Sequence, residues 1–424
     1  MLRFGLFCIF GVGLASLPCR VSAEALTLVR AEMLWREGNI DLKLAKHVIN
    51  AAAGDVSTAD RRENPNFSLG STYLSPRAGL GSGSLRSKNA DSVLRLEQLV
   101  ERGNKRAYRT QSAEARLAAA RFDAEEAERA GLIQLSQAYW DLKLAFERER
   151  LTEATAQLAR EAIVAADRRL KVGDIAAADV SKLRVDTLRS ENDARAALAD
   201  RQKSQLALAI LIGRTDDAEA LSCADDWPPR TSEVSALPVA SATQWENRAD
   251  IRASLARVVA AEAALETARS LGKRDITFGV QFEHYPTIGD QAPNNTWGVS
   301  FAIPLFASHA YEGEILRAGA ELEQARDQAG RTRAMAKADA IRTANEFSAS
   351  AERLNRLELT LLAEAEKVTA AAEFAYRKGA TGLLELLDAR RTLRQIQQEA
   401  ATAKSDYAKA LVAMRLQFSS GASK

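Results

Sequence analysis

The sequence predicts a mainly α-helical fold with a small β part, built as two structural repeats of long coiled-coil helices plus β-hairpins. Three observations carry that prediction. The chain repeats itself at a fixed offset, its apolar residues fall in heptads over very long stretches, and four short segments alternate apolar with polar residues.

The repeat comes first. The stretch Arg169-Leu170-Lys171-Val172-Gly173-Asp174-Ile175 through Ile212-Gly213 has a second copy in Arg377-Lys378-Gly379-Ala380-Thr381-Gly382 through Gln417-Phe418. Gly173 pairs with Gly379, an offset of 379 − 173 = 206, and the same offset brings Asp179 onto Glu385, Arg184 onto Arg390 and Leu99 onto Leu305. The predicted division is a first copy over 24–230 and a second over 231–424, joined near Asp225-Asp226-Trp227-Pro228-Pro229.

Each copy opens with a helix, about 26–53 in the first and 245–271 in the second. Two short strands follow, then a very long helix, a Gly-containing turn and a returning helix. The long helices are placed at about 105–171 and 312–378, the returning ones at 175–213 and 382–418. A helix over 105–171 would run on the order of 100 Å at 1.5 Å per residue, far beyond a globular helix, so coiled-coil packing is expected. The heptads agree: Leu393, Ile396, Ala400, Ala403, Tyr407, Ala410 and Met414 alternate spacings of three and four. Leu144, Leu151, Leu158, Ala165 and Val172 recur every seven residues, and Leu354, Leu357, Leu361, Val368, Ala371 and Ala375 form a further seam. These stripes read as packing surfaces of a helical shaft and carry no chemistry.

Composition supports long helices. Of 424 residues, 46% are hydrophobic and 27% charged but only 6% aromatic, and Ala dominates the apolar share, as suits helices packed closely in pairs. The net charge of +2 is spread as mixed sign without a basic run, which argues against a nucleic-acid partner. At the N-terminus, Arg3, the apolar stretch Phe4–Leu17 and the small residues Val21-Ser22-Ala23 read as a signal peptide over 1–23. Pro18 before Cys19 is wrong for lipid attachment, so cleavage after Ala23 is expected. It would leave Cys223 alone, without an intramolecular disulfide. Nothing downstream reads as a transmembrane helix.

The strands bear on the membrane question. Ile276, Phe278, Val280 and Phe282 alternate with Thr277, Gly279, Gln281 and Glu283, and Trp297, Val299, Phe301 and Ile303 alternate with Gly298, Ser300 and Ala302. Phe67 and Leu69, then Leu94 and Leu96, do the same in the first copy, giving strands at about 66–74, 92–100, 275–285 and 296–304. Period-two alternation sets one face against apolar material and the other against water. The lipid-facing candidates are Phe278, Val280, Trp297, Val299 and Phe301, with Tyr73, Tyr285 and Trp297 as interfacial aromatics. Lipid admits strands only in closed barrels, and four strands cannot close one, so several chains must share it. A sheet lying on helices in a soluble protein is the plainer alternative.

No enzyme signature is present. His47, His284 and His309 are scattered, no Cys/His/carboxylate spacing suggests a metal site, no Ser sits in a nucleophile elbow, and no cofactor motif is found. Gly173 and Gly379 fit helix-ending turns. Arg169, Arg377 and Lys378 beside them suit either last-turn dipole partners or an exposed docking tip.

At this point the chain resembles the outer membrane efflux protein family, the TolC-like outer membrane factors. The matching residues are Asn64-Pro65-Asn66-Phe67 at the first strand, Arg248-Ala249-Asp250-Ile251 (Ala in place of Pro) in the second copy, and Ile303-Pro304-Leu305-Phe306 after the last strand. Leu99-Val100-Glu101-Arg102-Gly103-Asn104-Lys105-Arg106 is similar to the Glu-x-Gly-Gly-Lys-Arg element of the heavy-metal efflux branch, with Asn for one Gly. The resemblance implies a homotrimer with a 12-stranded outer-membrane β-barrel and a periplasmic α-helical barrel, in contact with outer-membrane lipid. It implies docking on a periplasmic adaptor (membrane fusion protein) and an inner-membrane pump, with Gly173, Gly379, Arg169, Arg377 and Lys378 at the docking tips. It also implies a constriction lined by acids six and nine positions after the second turn glycine, here Glu385 and Asp388, with Asp179 at the sixth position of the first copy. Acids at a helix start also favour the macrodipole, an ordinary alternative. Metal ions, drugs and secreted polypeptides all remain open as cargo. A periplasmic adaptor or a poreless coiled coil is the rival class.

Overall fold

Two helices dominate the computed structural model, α3 (Lys105–Lys171) with 67 residues and α6 (Glu312–Arg356) with 45. The described residues are 24–72, 90–230, 244–285 and 294–418, so the stretch 1–23 expected as a signal peptide and the expected interfacial aromatic Tyr73 lie outside them. In chain order the elements are β1 (Glu24–Leu26), α1 (Leu28–Gly38), α2 (Ile40–Ala59), β2 (Asn66–Thr72), β3 (Asp91–Val100), α3, α4 (Ala177–Ile212) and β4 (Leu221–Cys223). Then come α5 (Ala249–Ser270), β5 (Ile276–Tyr285), β6 (Asn294–Ala302), α6, a π-helical turn (Leu357–Leu361), α7 (Leu362–Arg377) and α8 (Leu383–Phe418).

The helix expected over 26–53 is two helices, with Asn39 extended between them at ψ 127°. Its first residue, Leu26, belongs instead to β1, which pairs in parallel with β4. The helix expected over 245–271 begins at Ala249. Contacts divide the chain into two units that interleave the sequence copies. One takes the segment ending at Asn39 with Gln134–Pro229 and Ser350–Lys409; the other takes Ile40–Ile133, a stretch ending at Ala349, and the residues from Ala410.

In the first unit the core includes Trp35, Leu26, Leu208, Leu221 and Tyr139, all at 2% exposure or less. The Tyr139 hydroxyl lies 2.8 Å from the Leu26 carbonyl and 2.9 Å from the Asp225 carboxylate, which also accepts from Leu28 N–H at 2.6 Å. The loop joining the two copies is therefore packed. Trp227 in that loop stacks on Trp140 at 5.6 Å and donates from Nε1 to Glu147 at 2.8 Å. Burial pushes the nearby Cys223 thiol up to about 12.

In the second unit Leu265, Ala268, Ala318 and Leu322 bury one another between α5 and α6. The Arg248-Ala249-Asp250 element is an anchor there. The Arg248 side chain is only 7% exposed and binds Asp250 at 2.8 Å and Asp339 at 3.4 Å. An arginine buried to that degree persists because carboxylates surround it. The four remaining strands form one antiparallel sheet in the order β2-β3-β5-β6. The two hairpins are thus joined through β3 and β5 rather than standing apart.

The heptad stripes divide. Ala400, Ala403 and Tyr407 are buried, as are Leu354, Leu357 and Leu144. Leu361, Val368, Leu158 and Val172 are exposed, the last at 79%. A straight helix drifts about 20° per heptad against a strict seven-residue repeat, so contact passes from Leu144 to Ala156 and Ala166.

Candidate functional site: the strand face and the hairpin turns

The sheet has one face with a continuous apolar band, bounded by Gln98 near one end and by Ser71, Ser92, His284 and Asn295 at the other. Leu69 opposes Leu94 and Phe67 opposes Leu96; Leu94 and Leu96 oppose Phe282 and Val280; and these in turn oppose Trp297 and Val299. Phe278 faces Phe301, their rings 5.1 Å apart and nearly perpendicular. The candidates Phe278, Val280, Trp297, Val299 and Phe301 therefore share one side, and it is bare: Trp297 and Val299 are each 75% exposed. The other side is mainly polar, with Val93 and Leu99 as its apolar members on β3. Its register runs Ser68, Arg95, Gln281, Gly298, with Arg95 donating to Gln281 at 2.8 Å and lying 3.5 Å from Glu97. An apolar patch this continuous marks contact with another apolar phase. Among the described residues the outer edges of β2 and β6 carry no further strand. Tyr285 ends β5 and donates its hydroxyl to Glu283 at 2.6 Å. No helix among the described residues is long and apolar enough to cross a membrane.

The hairpin turns are built alike in both copies. Gly173 and Gly379 take φ of 79° and 73°, values that suit glycine. Around Gly173, Asp174 N–H reaches the Arg169 carbonyl at 2.9 Å and Gly173 N–H reaches Leu170 at 3.0 Å. Ala380 to Ala375 at 2.9 Å and Gly379 to Tyr376 at 3.0 Å repeat the pattern, the paired bonds of a Schellman cap. Each hairpin is braced by the same ion pair: Arg184 with Asp167 at 3.3 Å in the first copy, Arg390 with Glu373 at 2.8 Å in the second.

The charged residues at the turns differ in use. Arg169 pairs with Asp174 at 2.7 Å and donates across to the Tyr376 hydroxyl at 3.0 Å. Arg377 folds back onto the Glu373 carbonyl at 3.3 Å, and the Lys378 amine sits 5.7 Å from the Phe374 ring. Glu385 and Asp388 are both exposed and line one groove between α7 and α8 with Leu361, Glu364 and Val368. Neither has an ion-pair partner among the described residues, whereas Asp179 is held by Lys182 at 3.3 Å. The structure therefore groups Glu385 with Asp388 and sets Asp179 apart as part of an ion pair.

Ties between the two hairpins were not foreseen from sequence. Arg391 on α8 binds Asp186 on α4 at 2.7 Å, a pairing between distant segments that leaves no local signal. The Gly103-Asn104-Lys105-Arg106 element proves to be a joint. Gly103 and Asn104 both take positive φ, and a Cβ on Gly103 would lie 2.7 Å from the Lys273 side chain. The Lys105 amine is buried between the Lys273 carbonyl at 2.8 Å and Asp275 at 2.7 Å. Among the described residues no group of three or more His, Cys, Asp or Glu is placed to hold a metal ion.

Comparison with known proteins follows the same lines. A family model described as outer membrane efflux protein matches residues 34–214 and 243–418. The chain is 26% identical over 385 residues to the cobalt-zinc-cadmium resistance protein CzcC of Cupriavidus metallidurans, covering 89% of this chain and 86% of that protein. Its fold is that of the CmeC outer membrane channel of Campylobacter jejuni, with a TM-score of 0.80 at 18% identity over 93% of this chain and 86% of that one. The outer membrane protein VceC of Vibrio cholerae matches with a TM-score of 0.76 at 20% identity, over 92% and 95% of the two chains. Matched across both copies, with a lipid-compatible strand face and long paired helices, the chain belongs to the outer membrane efflux protein family and is an outer-membrane channel protein whose helices extend into the periplasm.

Proposed function

We propose that three copies of this chain pool their four-stranded sheets into one closed barrel and conduct divalent metal cations outward from a periplasmic adaptor and an inner-membrane pump. The single observation behind the shared barrel is the sheet itself: its apolar side is exposed over all four strands, while neither edge is paired with a further strand among the described residues. In hydrocarbon every strand N–H and C=O needs a partner. Pairing β2 of one copy with β6 of the next supplies it. The polar side, with Arg95, Glu97 and Gln281, then faces the lumen.

Cargo is the finer part of the proposal. The relative CzcC is a cobalt-zinc-cadmium resistance protein, and Glu385 with Asp388 offers exposed carboxylates one helical turn apart, suited to cations. The chain acts as a conduit, and its partners supply the energy. Deleting the gene and measuring growth on cobalt, zinc and cadmium beside a panel of dyes tests the cargo. Sensitivity to the dyes alone would overturn the metal reading. Crosslinking in native outer membranes tests the trimer, and capture of nothing above dimers would overturn it.

A further inference from the structure

Helix α8 carries Arg391 and Arg394 at positions where the first copy, at the repeat offset, has Val185 and Leu188. Their neighbour Arg390 is different in kind. Its pair with Glu373 repeats that of Arg184 with Asp167, so it belongs to the hairpin frame. Arg391 and Arg394 are additions, present in one hairpin and absent from its twin.

All three arginines line one cavity of about 320 Å³ among α3, α4, α7 and α8. Leu151, Leu158, Leu183, Leu387 and Leu393 form its apolar wall. Two of the guanidinium charges are matched: Arg390 by Glu373 at 2.8 Å and Arg391 by Asp186 at 2.7 Å. Arg394 is not. Among the described residues its one polar contact is the Ser190 hydroxyl, at 3.4 Å. That hydroxyl already donates to the Asp186 carbonyl at 3.0 Å. Arg394 thus keeps most of its five N–H donors, half-buried beside leucines and next to the Gln397 side chain.

We propose that this cavity binds a small organic monoanion, a carboxylate on an apolar body, with Arg394 taking the carboxylate and the leucines the body. Charge selects the class, because the cavity has an excess of one positive charge. Shape agrees, since ligand sites are mostly apolar cavities of roughly 300–1,000 Å³ with a few polar groups that fix orientation. A guanidinium fork matches a carboxylate in two parallel hydrogen bonds. Nothing in the conduit reading requires the site, and the two stand or fall separately.

The test uses the full-length protein in nanodiscs, titrated with 4-(trifluoromethyl)benzoate and followed by fluorine NMR. The benzoate should bind saturably, and its neutral twin 4-(trifluoromethyl)benzamide about tenfold or more weakly. Arg394→Gln should lose about tenfold in benzoate affinity, the scale of one charge-assisted pair. Arg394→Lys, which keeps the charge but not the fork, should lose severalfold and serves if the Gln variant fails to assemble. Unsaturable broadening, equal affinity for the two probes, or unchanged affinity in the variant that assembles would each overturn the proposal.

Discussion

Arg391 sets both Nε and Nη2 on one carboxylate oxygen of Asp186, at 3.1 and 2.7 Å, and so ties the two helical hairpins of a single chain together. Arg169 makes a second tie to Tyr376. The Arg391 side chain is 45% exposed, so water screens its pair with Asp186, which is worth no more than about 1 kcal/mol. Replacing Arg391 with Ala and Tyr376 with Phe should therefore leave assembly intact while loosening the turns. Hydrogen exchange should quicken around Gly173 and Gly379; unchanged protection would mean that packing alone holds the hairpins.

The strand face gives the sharpest membrane test. An Arg at Phe278 or Val299 should block insertion, since a lipid-facing Arg near mid-bilayer costs about 2–4 kcal/mol. An Arg at Ser300, which opposes Gly279 on the polar side, should be tolerated. Outer-membrane fractionation of the three variants reads this out, and the reverse ranking would turn the sheet inside out.

Glu385 and Asp388 share an exposed groove without cationic partners among the described residues, and replacing both with Ala should weaken cation preference and cation block in single-channel recordings. Asp179→Ala should do far less, because Lys182 already neutralises Asp179. Wild-type selectivity in the double variant would reduce the two acids to helix-start residues.

Lys105 holds Asp275 from a position where its own side chain is 10% exposed. Among the described residues, Lys105→Met should leave Asp275 with only the Arg102 N–H at 2.9 Å and cost about 1–3 kcal/mol. A lowered melting temperature with an unchanged cargo range is the expected outcome. A changed range would make this joint a selectivity element.

Cys223 should resist alkylation by iodoacetamide at neutral pH until the protein unfolds, because a thiol pushed up to about 12 holds almost no thiolate there. Mass spectrometry of native and denatured samples checks it.

Periodicity made the strands and long helices legible in the sequence: Val280 and Val299 sit on one face because both obey the period of two. What periodicity leaves out is which of a helix's apolar stripes meets its own chain. Leu158 and Val172 continue the heptad of Leu144 and yet stand exposed. The turn glycines were readable from spacing, since a left-handed position demands that residue type. The Arg391–Asp186 tie was not, because two surface charges hundreds of residues apart look like any others. Lys105 shows something else that sequence leaves out: the element that resembles the heavy-metal branch is, in the fold, a buried joint to Asp275.

The two hairpins share a frame, the same glycine cap and the same Arg-to-acid brace, while Arg391 and Arg394 occur in only one of them. In a ring of three chains the frame would recur six times with near-sixfold regularity, but the added charges only three times. A partner that grips the frame would meet six interchangeable seats, and one that senses the charges would meet three. The stoichiometry of a bound partner, six to three or three to three, would therefore reveal which of these two layers it reads.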